Sequence, residues 1–138
     1  MMQTFLPYPD FKKSAKVLDY RRLGKQRVEV LQIQKALVID NYGWKNHPIV
    51  KMWMGYENAL MEYKNVMIKE WISRGFNNNM GLEINFKPRI YPKWLGNEEL
   101  HASHRSNLLK KDYEYYSQFD WKEEPGMDYI WIIPEDSE

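Results

Sequence analysis

Residues 19–29 read Asp-Tyr-Arg-Arg-Leu-Gly-Lys-Gln-Arg-Val-Glu, and this stretch predicts the start of a long helix. At about 100° of rotation per residue, four polar side chains fall on one narrow face of that helix. They are Arg22, Lys25, Gln26 and Glu29. Two turns later the same face carries Ile33 and Ala36, so we expect it to point inward along its length.

A polar cluster that faces inward must line a cleft or pair with buried partners, because unpaired buried charges are costly. One interpretation is an internal ion-pair network that closes a helical core around Glu29. The other is a concave anion site with one carboxylate set among cations. The sequence leaves both interpretations open at this point.

Length and composition limit the class of protein. A chain of 138 residues fits one domain with a real core, and six Trp, ten Tyr and eight Met make that core rich in large side chains. There is no cysteine, which excludes a disulfide framework and a thiolate zinc site. No apolar run approaches membrane-spanning length and no signal peptide is evident. We therefore expect a soluble cytoplasmic protein that does not bind membranes.

The net charge of +1 hides an uneven distribution. Residues 11–28 carry seven basic side chains against the single acid Asp19, and a second basic group lies far away in sequence. That second group consists of His101, His104, Arg105, Lys110 and Lys111. Two such clusters meeting in space would form a positive patch able to hold phosphates. Taken alone, Lys12, Lys13 and Lys16 are interpreted as a solvated helix face.

Helical periodicity and turn residues predict the remaining elements. Residues 5–9 are predicted to be extended, because each proline disfavours helix in the residue before it, and a short helical turn capped by Asp10 or Ser14 follows. The longer predicted helices run from a cap at Asp19 to near residues 41–43, from Pro48 to Met54, over residues 56–74, and from Asn97, with 112–119 as a continuation. Residues 76–94 are predicted to be a long irregular loop, and residues 127–133 a short extended or strand-like tail. Gly24 lies inside the long helix, so we expect it to permit close approach of another backbone or a ligand.

Two sets of histidines are candidates for ligand contact. His47 precedes Pro48 at the entrance of a short helix, where a capping role and an anion-binding role are both open. His101, His104, Arg105 and Leu108 share one helix face. Arg105 disfavours a divalent cation beside the histidines, and there is no HExxH pattern, glycine-rich phosphate loop or nucleophile elbow, so we expect neither metal nor cofactor. Basic residues with many aromatics indicate a site that grips nucleotides by phosphate contact and base stacking.

Three motifs in order resemble the phage pyrimidine-dimer DNA glycosylase family, of the endonuclease V type. They are Leu-Asp-Tyr-Arg-Arg-Leu-Gly-Lys-Gln-Arg at 18–27, Ser-Arg-Gly-Phe-Asn at 73–77, and Leu-His-Ala-Ser-His-Arg-Ser-Asn-Leu-Leu at 100–109, followed by a tyrosine-rich end. The chain is most similar to a branch of bacterial and phage proteins that open with Gln-Thr-Phe-Leu-Pro-Tyr-Pro-Asp, here residues 3–10. The resemblance implies an all-α single domain over residues 1–138, with a few long helices, acting on damaged DNA.

The resemblance also implies a mechanism: base flipping, attack of an N-terminal amine on the sugar, and a glutamate on the first long helix assisting strand cleavage. Arg21 and Lys25 match basic positions of the family, with Arg21 a DNA-contacting arginine. Arg22 falls on the position of the catalytic glutamate, and the start of the chain, Met-Met-Gln, does not match the small first residue of the mature family. Glu29, about two turns further along, could replace the missing acid.

Two functions follow as hypotheses. The first is a DNA glycosylase or lyase that excises a damaged or modified base, with Glu29 as general acid/base. The second is a non-catalytic protein that sequesters a nucleotide or cyclic nucleotide signal, as a phage would need against a nucleotide-triggered host defence. In both, the predicted substrate-binding and phosphate-binding residues are Arg21, Arg22, Lys25, Gln26, Asn46, His47, His101, His104 and Arg105.

Overall fold

The long helix predicted from residue 19 is the longest element of the computed structural model, which describes residues 2–39, 43, 45–84, 86–87 and 90–133. Within these ranges the chain forms six α-helices, one 3-10 helix and no strand. The α-helices are α1 (Phe11–Val17), α2 (Tyr20–Val38), α3 (Pro48–Trp53), α4 (Glu57–Ser73), α5 (Glu98–Lys111) and α6 (Tyr113–Tyr116). The prediction of an all-α fold is confirmed.

Short polar side chains start the helices where the sequence predicts them. Asp10 caps α1 by accepting the Lys13 N–H at 2.9 Å, and Asp19 caps α2 in the same way. Asn97 caps α5, and Pro48 occupies the first turn of α3. Each cap satisfies an N–H group that has no partner within its helix.

Two helix ends differ from the prediction. α2 ends at Val38, a few residues before the expected end near 41–43, and residues 41 and 42 lie outside the described ranges. Asp112 has φ −154° and ψ 77°, which are not helical angles. It ends α5 and also caps α6, so residues 113–116 form a separate helix, followed by a 3-10 turn at Ser117–Phe119, and do not continue α5.

α2 packs mainly against α4, and Gly24 lies at that contact. A Cβ atom on Gly24 would lie 2.9 Å from Cζ3 of Trp71, closer than real Cβ contacts allow. The close approach at this glycine is therefore made by the side-chain ring of Trp71 in α4, and not by the backbone or ligand that was expected. The buried face of α2 is apolar, since its residues Leu23, Val30 and Ile33 are fully buried.

The N-terminal segment, residues 2–6, is buried between the helices. Residues 2–6 have no regular secondary structure and are almost wholly inaccessible to solvent. Phe5 N–H donates to Gln26 Oε1 of α2 at 3.0 Å, and Phe5 O accepts the Tyr63 hydroxyl of α4 at 2.8 Å. Side chains here supply the hydrogen bonds that a neighbouring strand would otherwise supply.

The remaining predicted irregular regions contain neither helix nor strand in the parts that the structure describes. This holds for the described residues between 76 and 93 and for the tail at 127–133. Among the described helices, none combines the length and apolarity needed to cross a lipid bilayer.

Tyr116 connects α6 to the start of α2, and replacing it with Phe should destabilise the fold. Its buried hydroxyl accepts the Asp19 N–H at 3.0 Å and donates to Asp19 Oδ1. Because Asp19 is itself buried, Tyr116→Phe leaves that N–H unpaired, and we expect a loss of about 1–3 kcal/mol in the free energy of unfolding. Urea denaturation of this variant beside Tyr113→Phe, at an exposed position, measures the difference. Equal stability of the two variants would contradict the assignment.

Candidate functional site

A cavity of about 230 Å³ opens beside the first half of α2. We call it the α2 cavity. Its lining residues are Gln3, Phe5, Arg21, Arg22, Lys25, Gln26, Glu29, Lys111 and Tyr129. Five residues predicted from the sequence therefore lie together, and all five belong to the polar start of α2.

Glu29 is the one acid in the lining of the α2 cavity. Its side chain accepts Gln3 N–H and the Gln26 amide, both at 3.4 Å, and only 9% of the residue is exposed. Burial raises the pKa of Glu29 above its ordinary value, while the Gln3 hydrogen bond and the charge of Lys25 partly offset that rise. A carboxyl group whose protonated form is favoured by burial in this way is suited to donate a proton as an acid and to accept one as a base.

The cations of the α2 cavity outnumber the acid. Arg22 Nη1 lies 3.2 Å from Asp19 Oδ2, and Lys25 Nζ lies 3.8 Å from Glu29 Oε2. Since the Lys25 side chain is 69% exposed, its pair with Glu29 contributes only about 0–1 kcal/mol. An ion-pair network therefore does not account for the burial of Glu29, and the surplus of positive charge suits a bound anion.

Lys111, at the end of α5, brings a further cation to the α2 cavity. Burial and the nearby cations Arg22 and Lys25 lower the pKa of Lys111. In the described ranges no carboxylate lies within ion-pair distance of its Nζ. Lys111 was not singled out as a site residue from the sequence. Its spacing of seven residues from His104, on the same helix, could have indicated it.

Gln26 forms the inner wall of the α2 cavity. Its Oε1 accepts from Phe5 N–H and from the Tyr63 hydroxyl, and its Nε2 donates to Gln3 O at 2.9 Å. The residue is 1% exposed. Its hydrogen bonds hold the N-terminal segment against α2, so its first role is to shape the cavity.

His104 lies behind the cavity wall and does not line the cavity. Its Nδ1 accepts Leu6 N–H at 2.9 Å, and its ring meets the rings of Phe5 and Tyr129 edge-on. Burial lowers the pKa of His104 to about 3, so its ring is neutral at pH 7.

His101 binds the same segment from one turn earlier in α5. Its Nδ1 lies 2.7 Å from Leu6 O, and its Nε2 accepts Gly96 N–H at 2.9 Å. This pair of contacts requires a neutral ring with the proton on Nδ1. The structure therefore separates His101 and His104 from the α2 cavity.

Arg105 is also engaged elsewhere. Its Nη1 donates to Pro7 O at 2.7 Å, and its other nitrogens contact Glu98 and Glu123. With two carboxylates around it, the guanidinium has no surplus charge to offer a phosphate. The basic group predicted on α5 thus contributes to the α2 cavity through Lys111 only.

The two predicted residues before α3 lie apart from the α2 cavity. His47 caps α3 by accepting Ile49 N–H at 3.0 Å, and its ring meets Trp131 edge-on at 5.8 Å. Asn46 is exposed and does not line the cavity. Of the two roles left open for His47, the structure shows the capping contact.

A shallow groove adjoins the α2 cavity on the outer side of α2. It shares Arg21, Lys25 and Glu29 with the cavity and adds aromatic and apolar surface. The added residues are Tyr20, Gly24, Val28, Gln32 and Trp71. Cations that separate a polar cavity from an aromatic groove suit a ligand with both phosphate and base.

Comparison with known protein families identifies a match. A family model described as pyrimidine dimer DNA glycosylase matches residues 2–84, which is more than half of the chain. That segment contains the buried N-terminal segment, α2 and α4, and thus most of the cavity lining. No curated protein and no solved structure showed significant similarity to the chain.

The buried neutral state of His104 predicts a specific loss of stability in acid. Its folded pKa lies below its ordinary value of 6.5, so the unfolded chain binds a proton that the folded chain does not. The free energy of unfolding should therefore fall as pH drops below 6.5, by up to about 1.4 kcal/mol per pH unit for this group.

His104→Asn tests this, because the Asn side-chain oxygen can still accept Leu6 N–H but does not titrate. Urea unfolding of both proteins between about pH 4.5 and pH 7 should show a slope smaller by about one proton in the variant. Parallel curves would contradict the assignment. Burial also lowers the pKa of His101, but His101 is present in both proteins. It therefore adds the same pH dependence of the unfolding free energy to both, and the difference between the two slopes reports His104.

Proposed function

The chain belongs to the pyrimidine dimer DNA glycosylase family, and from that premise we propose that it excises a damaged or modified base from DNA at the α2 cavity. The observation that carries the proposal is a buried carboxyl group of raised pKa within a cavity lined by cations. Glu29 is the general acid/base, and Arg21, Arg22 and Lys25 hold phosphates.

The volume of the α2 cavity favours a piece of a DNA strand over a whole signal nucleotide. At about 230 Å³ it is smaller than the roughly 300–1,000 Å³ of pockets that enclose drug-sized ligands. A deoxyribose with its phosphate fits such a space, and the attached base can then extend over the groove beside Tyr20. Base-aromatic stacking of this kind contributes about 1–3 kcal/mol per base.

The chemistry assigned to Glu29 follows from its surroundings. In its protonated form it can donate to a departing base or sugar oxygen, and as a carboxylate it can remove a proton in the following step. It lies seven residues after Arg22, hence on the same side of α2, and both line the cavity. Gln3 also lines it and carries a buried Nε2 with no partner in the described part of the chain, so the wall has a donor to offer a substrate.

A second candidate function is sequestration of a nucleotide without cleavage. The observation that favours it is that Arg22 lines the α2 cavity, since the resemblance places this cation where the family has its catalytic glutamate. An arginine at this position strengthens the binding of an anion. It also leaves the position without the carboxyl group that would assist strand cleavage.

Replacing Glu29 with Gln separates catalysis from stability. We expect Glu29→Gln to lower base excision by about 10²–10⁴-fold, the usual contribution of a general acid/base. Stability at pH 7 should be equal or slightly higher, because folding no longer buries an ionised carboxyl whose pKa burial has raised.

The measurement pairs a nicking assay on ultraviolet-damaged DNA with thermal unfolding. Glu99→Gln, at an exposed position of α5, is the matched control. If the free energy of unfolding of Glu29→Gln is several kcal/mol lower than that of the control, the burial of Glu29 is explained by a structural ion-pair network and not by catalysis.

Salt dependence distinguishes DNA from a small nucleotide. A DNA footprint neutralises many phosphates, so its affinity should fall steeply with added salt and should weaken when the exposed Lys12, Lys13 and Lys16 are all replaced by Ala. A signal nucleotide has one or two phosphates, so its affinity should fall gently and ignore those lysines. Fluorescence anisotropy of both ligands, over a salt series with wild type and the triple variant, gives the two slopes. A gentle slope with DNA, unchanged in the variant, would count against the DNA proposal.

A further inference from the structure

The α2 cavity carries more positive charge than the neighbouring acids balance. Of the four cations in its lining, Arg22 and Lys25 each lie within ion-pair distance of a carboxylate. The other two, Arg21 and Lys111, have no carboxylate within that distance in the described ranges. The cavity therefore presents two uncompensated positive charges, which is the charge needed to balance a dianion.

The wall of the same cavity holds a buried hydrogen-bond donor without a partner. Gln3 lines the cavity and is 1% exposed. Its Oε1 accepts Thr4 N–H at 2.9 Å, so the orientation of the amide is fixed and Nε2 is its free end. Nε2 has no hydrogen-bond partner in the described part of the chain. Because a buried donor is rarely left unpaired, this amide indicates an acceptor that a ligand supplies.

We propose that the α2 cavity binds the terminal phosphate monoester of a cleaved DNA strand, with Lys111 Nζ and Gln3 Nε2 donating to its oxygens. A phosphate monoester carries a charge of about −1.5 to −2 at pH 7 and offers three strong acceptor oxygens. A phosphodiester inside a strand carries a single negative charge. The monoester is therefore the form of phosphate that balances both uncompensated cations.

This inference rests on the proposed action on DNA and extends it to the product. Cleavage of a strand beside a damaged base leaves a phosphate monoester at a new strand end. A cavity that holds this end keeps the protein on the nicked DNA, so release of the product becomes a controlled step.

The surroundings of Lys111 fit a bound anion. Partial burial and the charges of Arg22 and Lys25 lower the pKa of Lys111, since each disfavours a further positive charge at this place. A phosphate dianion beside Lys111 Nζ offsets these effects, because an opposite charge within about 4–6 Å favours the charged form. In its protonated form, Glu29 adds one more donor to the same lining.

The adjoining groove provides a place for the nucleotide attached to that phosphate. Lys111 and Gln3 line the cavity and not the groove, whereas Arg21 lines both. A phosphate held by the first two residues can therefore continue, past Arg21, into a sugar and a base over the groove. The ring of Tyr20 lies in that groove and is suited to stack on the base.

Binding to nicked duplexes tests the inference. Three duplexes of one sequence carry a 5′ phosphate at the nick, a 3′ phosphate at the nick, or hydroxyl groups only. Fluorescence anisotropy at about pH 7.5, where the monoester is mainly a dianion, gives each affinity. We expect at least one phosphorylated nick to bind wild type about 10–100-fold more tightly than the hydroxyl nick, as charge-assisted hydrogen bonds allow. Inorganic phosphate added as a competitor should reduce this advantage.

Two variants locate the phosphate. Lys111→Gln removes an uncompensated cation from the cavity and should reduce the advantage to within about threefold. Lys110→Gln is the matched control, since it removes the same charge one residue away, at a position that does not line the cavity. It should keep the advantage. Gln3→Glu retains an acceptor for Thr4 N–H but replaces the free donor with a carboxylate oxygen, so it should lose the advantage as well. Thermal unfolding shows which variants are folded.

The outcomes separate this inference from the proposed function. If wild type binds all three nicks equally and still releases bases from damaged DNA, the inference is overturned and the proposed function stands. An advantage that survives in both Lys111→Gln and Gln3→Glu places the phosphate elsewhere and also overturns it. So does tight binding of a deoxynucleoside monophosphate without any preference among the nicks, which makes a small nucleotide the ligand. If wild type neither binds the duplexes nor releases a base, the proposed function falls and the inference falls with it.

Discussion

The burial of an extended N-terminal segment in an all-helical domain is the constraint on which the rest of the structure depends. Backbone groups removed from water need hydrogen-bond partners, and no strand of the described chain is available to supply them. Side chains of three helices do so instead: Gln26 and Tyr63 bind Phe5, and His101 and His104 bind Leu6. Losing one such side chain leaves a buried N–H or C=O unpaired, at about 1–3 kcal/mol.

This constraint explains why the predicted site residues separated into two groups. A polar residue that faces inward on a helix can serve a ligand or a buried backbone, and both uses give the same spacing in sequence. The sequence predicted that the polar face of α2 points inward, which holds for Gln26 and Glu29 but not for Lys25, whose side chain is exposed. It could not assign His101 and His104 to the backbone of Leu6. That assignment depends on a contact across about 95 residues, as the separation between His101 and Leu6 shows.

Much of the fold was predictable because it depends on local signals. The caps Asp10, Asp19 and Asn97, and the proline that opens α3, are set by residues within one helical turn of the groups they satisfy. The break at Asp112 was missed, because its side chain caps the following helix while the helical pattern runs on through the tyrosines. Lys111 was missed for a related reason, since it lies at that same boundary and its neighbours on α2 are distant in sequence.

The hydrogen bonds that hold the N-terminal segment, residues 2–6, are shared with the α2 cavity. Gln26 binds the backbone of the N-terminal segment on one side and contacts Glu29 on the other, and Gln3 N–H contacts Glu29 directly. The N-terminal segment, whose backbone groups are paired by side chains, therefore also excludes water from one side of Glu29. That burial raises the pKa of Glu29. Cations enter this arrangement from the exposed side of α2 and from the end of α5, where they remain partly solvated. A buried acid and accessible cations thus follow from the same placement of the segment, which links the stability of the fold to the chemistry of its cavity.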